Sequence, residues 1–204
     1  TTGHPGIKVK LAMEATPELV AAENPDAVIV AVGAKPNLPD IPGINNEIAV
    51  WVGDVNLGRV KIGENIVIAG GGMTGCETAL ELAMQGKKVA IVEMISLEEL
   101  VTCAPIINMI SLLSLLKKNG VKLMTETKLK KITDDAAVVV DKKGETIQLP
   151  CDNVVLSLGV KPCSEIAEQY KNAAGDVYVV GDCGVKRGNL WTATTTAFDA
   201  ATDI

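Results

Sequence analysis

The chain has 204 residues, enough for one large domain or two small ones with real cores. A net charge of −6 and an isoelectric point near 4.9 argue against nucleic acid or an anionic membrane as a partner, and no apolar run is long enough to span a bilayer. With 48% hydrophobic residues but only 2% aromatic, the core must be built from Val, Ile, Leu and Ala, which suits parallel sheets buried on both faces.

From the N-terminus, Ile7–Leu11 alternates like a short strand, and Thr16-Pro17-Glu18 predicts a helix start that carries on to about Glu23. Ala27–Val32 has the length and residue type of a buried strand ending at Gly33. The proline-rich stretch Ala34–Gly43 is expected to hold no regular structure and to cross between domains, continuing through Trp51–Asp54.

The next stretch, Asn65–Glu93, organises the chain. Ile66-Val67-Ile68 predicts a buried strand, and Gly70-Gly71-Gly72-Met73-Thr74-Gly75 has the spacing G-x-G-x-x-G. Apolar residues then recur at helical spacing from Thr74 to Gln85, Gly86 stops the helix, and Lys88–Val92 is a second strand ending on Glu93. Strand, glycine turn, helix, strand and terminal carboxylate form the dinucleotide-binding pattern. Gly70 permits the sharp turn, Gly72 lets a pyrophosphate approach the backbone, and Gly75 lets the helix pack close. The helix N-terminus presents free N–H groups to the pyrophosphate. Glu93 falls about twenty residues on, where a carboxylate meets ribose hydroxyls. The alternative is a tight turn in an unrelated α/β domain.

Ser96–Thr102 is amphipathic. Pro105 opens a helix, Ile106 to Leu116, whose apolar residues nearly encircle it, so burial or a covering partner is expected; Lys117, Lys118 and Asn119-Gly120 end it. Val121–Met124 is a parallel-strand candidate, and Lys128–Thr133, Ala136–Asp141 and Glu145–Leu149 predict an antiparallel meander. Asn153–Leu158, ending at Gly159, and Val177–Val180, ending at Gly181-Asp182, are further buried strands. A last helix is expected over Thr192–Ile204, with Phe198 and Ile204 on one side.

Five cysteines, Cys76, Cys103, Cys151, Cys163 and Cys183, lie too far apart for C-x-x-C, so zinc, iron–sulfur and thioredoxin-type chemistry have no local signature. They read as reduced thiols, which points to a cytoplasmic protein. Cys76 and Cys183 flank motif residues but read as small packed side chains rather than nucleophiles. His4 is the only histidine, which leaves little room for a His-based triad or metal site. With neither a signal peptide nor an initiator Met, the first residue reads as a processed or trimmed boundary.

AVIVAVGAKP at Ala27–Pro36 and VVLSLGVKP at Val154–Pro162 echo each other, each a buried strand running into Gly, Lys and Pro. Together with GGGMTGCE at Gly70–Glu77 and VYVVGDC at Val177–Cys183, they resemble the pyridine nucleotide-disulfide oxidoreductase class of flavoproteins. The spacing is most similar to the C-terminal part of old-yellow-enzyme-type NADH:flavin oxidoreductases, the group of 2,4-dienoyl-CoA reductase and 2-enoate reductase. The resemblance implies that Gly181 and Asp182 meet the ribityl chain of FAD. It places Gly33 and Gly159 at crossing strands near nucleotide, and Glu77 on the nicotinamide side. Asp182 also reads as a strand-end residue capping the final helix, and Glu77 as a first-turn helix acid.

The expected architecture is α/β: a Rossmann-like, three-layer NAD(H)-binding domain at 58–151 with a small antiparallel meander, inserted in a partial FAD-binding domain at 1–57 and 152–204. The FAD fold's own glycine fingerprint would precede Ala27, and no such motif stands there, nor is there a redox cysteine pair. The chain is therefore expected to be a fragment whose partner is the missing N-terminal part of a parent flavoenzyme. Its function would be to bind NADH and pass hydride to FAD, with FAD not retained by the fragment itself and no catalytic side chain or metal. The alternatives are a non-catalytic NADH-binding or electron-relay subunit, and a free-standing dehydrogenase, against which stands the lack of an acid–base pair. Exposed apolar surface on a partial FAD half makes a homo-oligomer a further expectation.

Overall fold

Thr16 accepts a hydrogen bond from Leu19 N (3.3 Å) and Pro17 takes the first helical position, so helix α1 runs Pro17–Ala22. The computed structural model describes residues 3–102, 105–185 and 188–204; Cys103 lies outside them. After α1 come β1 (Ala27–Val30), β2 (Ala34–Pro36), β3 (Ala49–Trp51), α2 (Val52–Asn56), β4 (Asn65–Ala69), α3 (Met73–Met84) and β5 (Lys88–Val92). The chain continues through α4 (Leu97–Thr102), α5 (Ile106–Lys118), β6 (Lys122–Met124), β7 (Lys128–Ile132), β8 (Ala136–Val140) and β9 (Thr146–Pro150). It ends with β10 (Asn153–Leu156), β11 (Val160–Pro162), α6 (Ser164–Ala167), β12 (Asp176–Val179) and α7 (Leu190–Asp203).

Two compact units result, one of residues up to Lys35 with Val160–Ile204, the other Pro36–Gly159. The expected limits, 57/58 and 151/152, fall inside the second unit. The reason is backbone pairing: β3 and β10 hydrogen-bond into the same sheet as β4.

That sheet has the order β3-β10-β4-β5-β6, with every pair parallel. Its strands alternate, as period-2 geometry requires. Ile66, Ile68, Val89, Ile91 and Val155 face a layer made by Cys76, Ala79 and Leu82 of α3 and Leu112 and Leu116 of α5. Val67, Ala69, Val154 and Leu156 face the meander β7-β8-β9 through Leu129, Ile132, Ala137 and Val139. Helices, parallel sheet and meander make the three layers of a Rossmann-like α/β unit. Each fully buried Ile or Val here contributes about 1.5–3 kcal/mol by leaving water.

The start of β4 is pinned from the other end of the unit. Asp152 Oδ2 accepts from Glu64 N (2.8 Å), Asn65 N (2.7 Å) and Asn65 Nδ2 (3.2 Å), and Asn153 Oδ1 accepts from Gly63 N (2.8 Å). These donors hold the Asp152 carboxyl below its ordinary range.

In the first unit β1 pairs in parallel with β12, over a small core of Val30, Cys163, Ala167 and Cys183. Asn189 and Thr192 form a capping box, so α7 begins two residues before the expected Thr192.

Several local expectations are corrected. Ile7–Leu11 forms no strand and exposes Ile7, Val9 and Leu11, because no described strand pairs with it. The proline-rich segment does hold a strand, β2, paired with β11. Each ends on its proline, Pro36 or Pro162, where the missing N–H is tolerated. Trp51–Asp54 is not a crossing segment but the end of β3 and the start of α2. The expectation for α5, burial or a covering partner, is met within this chain by Met109, Leu112 and Leu116, while Ile106, Ile107, Ile110 and Leu115 are exposed, which keeps the second alternative open. Phe198 of α7 and Ile204, for which no burial is expected, are exposed. No helix among the described residues is long and apolar enough to cross a membrane.

Candidate nucleotide-binding site

Three glycines at the junction of β4 and α3 differ in what surrounds them, and the fold requires two of them, Gly70 and Gly75. Gly70 has φ +103°, a conformation that side-chain-bearing residues rarely adopt, and a Cβ there would fall 2.2 Å from Ser157 O. A Cβ on Gly75 would fall 2.0 Å from Gly70 O, so the helix can pack on the turn only with glycine. Gly72 is the opposite case: a Cβ there would meet nothing within 4 Å. Its backbone faces open space at the N-cap of α3, with no side chain to satisfy the N–H groups of the first turn, which includes Met73, Thr74 and Gly75. An anion approaching Gly72 therefore meets bare backbone and the positive end of a twelve-residue helix.

Glu93 is brought to the same place. It is 8% exposed, its Oε2 accepts from Gly71 N (2.6 Å), and its Oε1 accepts from Ile95 N (3.1 Å). Two N–H bonds leave further lone pairs on each oxygen free to accept from hydroxyls. The end of β10 walls the other side. Ser157 N donates to Ala69 O (2.8 Å), and Gly159, two residues on, has φ +80°. Turn, carboxylate and β10 end thus meet at the carboxyl ends of β4, β5 and β10, where open parallel sheets bind ligands. A surface concavity of about 550 Å³, lined by Asn65, Asp134 and Asp152 among others, lies at the opposite, amino end of β4 and plays no part in this geometry.

Glu77 is exposed on α3 and stands in its second turn, since the helix starts at Met73; no acid occupies the first turn. Gly33 (φ +70°), Gly181 (φ +66°) and Asp182 belong to the first unit. Gly181 N donates to Thr196 Oγ1 of α7 (3.0 Å). The cap of α7 is Asn189 and not Asp182, whose carboxylate lies so close to Gly188 that a Cβ there would sit 1.9 Å from Oδ1.

Two participants escaped sequence reasoning. Ser157 borders the turn only because β10 pairs with β4, a long-range pairing with no local signal. Cys76 donates its thiol to Gly71 O (3.0 Å). Burial and the nearby carboxylates of Glu93 and Glu77 push that thiol up to about 12, so it is no nucleophile.

A family model described as pyridine nucleotide-disulphide oxidoreductase matches residues 8–200. The chain belongs to the pyridine nucleotide-disulphide oxidoreductase family. Similar proteins include bilirubin reductase of Mediterraneibacter gnavus, 34% identical over 96% of this chain and 30% of that protein. NADH oxidase of Thermoanaerobacter brockii is 32% identical over 98% of this chain and 31% of its own length. Among solved structures, a 2-naphthoyl-CoA reductase–2-naphthoyl-CoA complex superposes with a TM-score of 0.87 at 33% identity, covering 98% of this chain and 30% of that one. The chain therefore spans about 30% of the length of these members of the oxidoreductase family.

The residues fit a dinucleotide unevenly across the two units. At Gly72 a Cβ would fill the space in which a pyrophosphate would lie, and Glu93 supplies acceptors beside it. For FAD the candidate residues of the first unit are Gly33, Gly181 and Asp182, with the Gly181 N–H already engaged by Thr196.

Proposed function

We propose that Pro36–Gly159 binds NADH, and that the chain is the nicotinamide-nucleotide-binding part of a flavin-dependent oxidoreductase of the old-yellow-enzyme-related type. Bound NADH supplies a hydride, accepted by FAD in the parent enzyme. The first unit is proposed to be part of the FAD-binding domain, with Gly33, Gly181 and Asp182 directed to that cofactor. The greater length of the bilirubin reductase and NADH oxidase relatives supports placing this chain within a larger enzyme.

On this reading the backbone of Gly71, Gly72, Met73, Thr74 and Gly75 holds the pyrophosphate, and Glu93 accepts from the adenosine ribose. Gly70 shapes the turn, while Gly159 borders the site and Glu77 lies on its nicotinamide side. No side chain needs to move a proton, because hydride transfer depends on holding two rings in contact. The observation that carries the proposal is the pairing of an obstructed Gly75 with an open Gly72 in one turn.

Gly72→Ala tests it. The new Cβ has room and φ is −62°, so the fold survives with a loss of about 1 kcal/mol or less for the weaker N-cap. The same Cβ projects at the pyrophosphate, and NADH affinity measured by calorimetry should fall by at least about tenfold. Unchanged NADH binding would remove the phosphate from this turn.

A further inference from the structure

Gly71 is held through both of its backbone polar groups, the N–H of the peptide before its Cα and the C=O of the peptide after it, by side chains from different elements. Its N–H donates to Glu93 Oε2 at 2.6 Å, and its C=O accepts from the Cys76 thiol at 3.0 Å. Glu93 is fixed in turn: Oε1 accepts from Ile95 N (3.1 Å), its own N–H donates to Met124 O (2.8 Å), and its C=O accepts from Thr127 N (2.8 Å). The packing is close, since a Cβ on Gly71 would approach Glu93 Cβ to 3.2 Å. Glu93 and Cys76 are both buried. A carboxylate whose single task was to meet a ribose edge would need neither the burial nor the bond to Gly71. Its bond to that N–H is charge-assisted and so among the stronger contacts in the turn.

We propose that Glu93 and Cys76 are positioning residues of the phosphate turn, clamping the two peptides that flank Gly71 between the end of β5 and α3 so that the following N–H groups point at bound phosphate. This rests on the dinucleotide reading and deepens it. Glu93 acts on the phosphate half of the ligand as well as on the ribose, and Cys76 acts as a hydrogen-bond donor. The Cys76 thiol stays protonated at neutral pH, as that role requires.

A cycle of variants and ligands separates the two roles of Glu93. ADP and 2′,3′-dideoxy-ADP are titrated by calorimetry into the wild-type chain and into Glu93→Ala, Cys76→Ala and Cys76→Ser. The clamp predicts that Glu93→Ala weakens binding of 2′,3′-dideoxy-ADP, which offers no ribose hydroxyl, by about fivefold or more. Cys76→Ala should weaken both ligands alike, and Cys76→Ser, which keeps a donor, should recover most of the loss. In the ligand-free protein, amide hydrogen exchange at Gly71 should accelerate in both alanine variants while β4 core amides stay protected, which shows that the variants fold. If Glu93→Ala binds 2′,3′-dideoxy-ADP as tightly as wild type and loses affinity for ADP alone, the clamp is overturned and the ribose role stands. Wild-type protein that binds neither probe overturns the dinucleotide reading and the clamp together.

Discussion

Glu93 is followed by Met94, Ile95 and Ser96, with no cation to receive a phosphate on the ribose. Its carboxylate is held by Gly71 N and Ile95 N, so it cannot swing far from the turn without breaking two bonds. The free lone pairs suit ribose 2′- and 3′-hydroxyls, whereas a 2′-phosphate would confront a like charge that Met94, Ile95 and Ser96 cannot neutralise. Losing charge-assisted hydrogen bonds of about 1.5–3 kcal/mol corresponds to roughly a tenfold to hundredfold weaker affinity. Titration of both reduced cofactors is therefore expected to show NADH preferred over NADPH by at least about tenfold, with the preference diminished in Glu93→Ala. Equal or tighter NADPH binding would mean that the ribose lies elsewhere.

At the scale of elements, β4 carries the turn, and its first residue is fastened by Asp152 through backbone N–H groups of Glu64 and Asn65. The carboxyl is held below its ordinary value of 3.8 by those N–H donors first and by the Asn65 side chain next. A group depressed on folding stabilises the protein above its unfolded value, and that contribution fades as pH falls through the folded one. Asp152→Asn removes the titration. Its melting temperature should lie below that of wild type at neutral pH, and the gap should close as the pH is taken below 3.8. A gap that persisted undiminished in acid would show that the Asp152 charge is irrelevant to the anchoring of β4.

For the whole molecule, the two units differ in how completely they can hold a nucleotide. The second has a glycine turn, a helix N-terminus and a carboxylate at the carboxyl ends of its sheet strands. The first has Asp182, which offers one or two hydrogen bonds worth about 0.5–1.5 kcal/mol each, far short of the cost of immobilising a large ligand. This chain, purified by itself, is expected to be colourless and not to oxidise NADH, as its absorption spectrum and a steady-state assay would show. Yellow protein with stoichiometric FAD would overturn the view that flavin binding needs more of the parent enzyme. In the first unit, Leu190, Trp191 and Phe198 of α7 are exposed apolar residues through which self-association would act.

The sequence by itself determined the parts whose causes are local. Thr16-Pro17, the capped end of α5 at Asn119-Gly120, the meander with its turns, and the strand–glycine–helix–strand run through Glu93 are all written in residues adjacent to the structure they produce. Only the tertiary structure decided what depends on distant pairing. The three-residue strands β2 and β3 are too short to show a period, and they exist because β11 and β10 hydrogen-bond to them. The two compact units divide at Lys35/Pro36 and Gly159/Val160, with β3 and β10 joining the sheet of β4. At the site, the sequence placed Glu93 at the end of β5, but its bond to Gly71, the thiol of Cys76 on the C=O of that same residue and the approach of Ser157 were not legible. The Glu93 and Ser157 contacts arise where strand ends converge, and residues on different strands leave no common periodicity in the chain, while the Cys76 contact depends on how α3 leaves the turn.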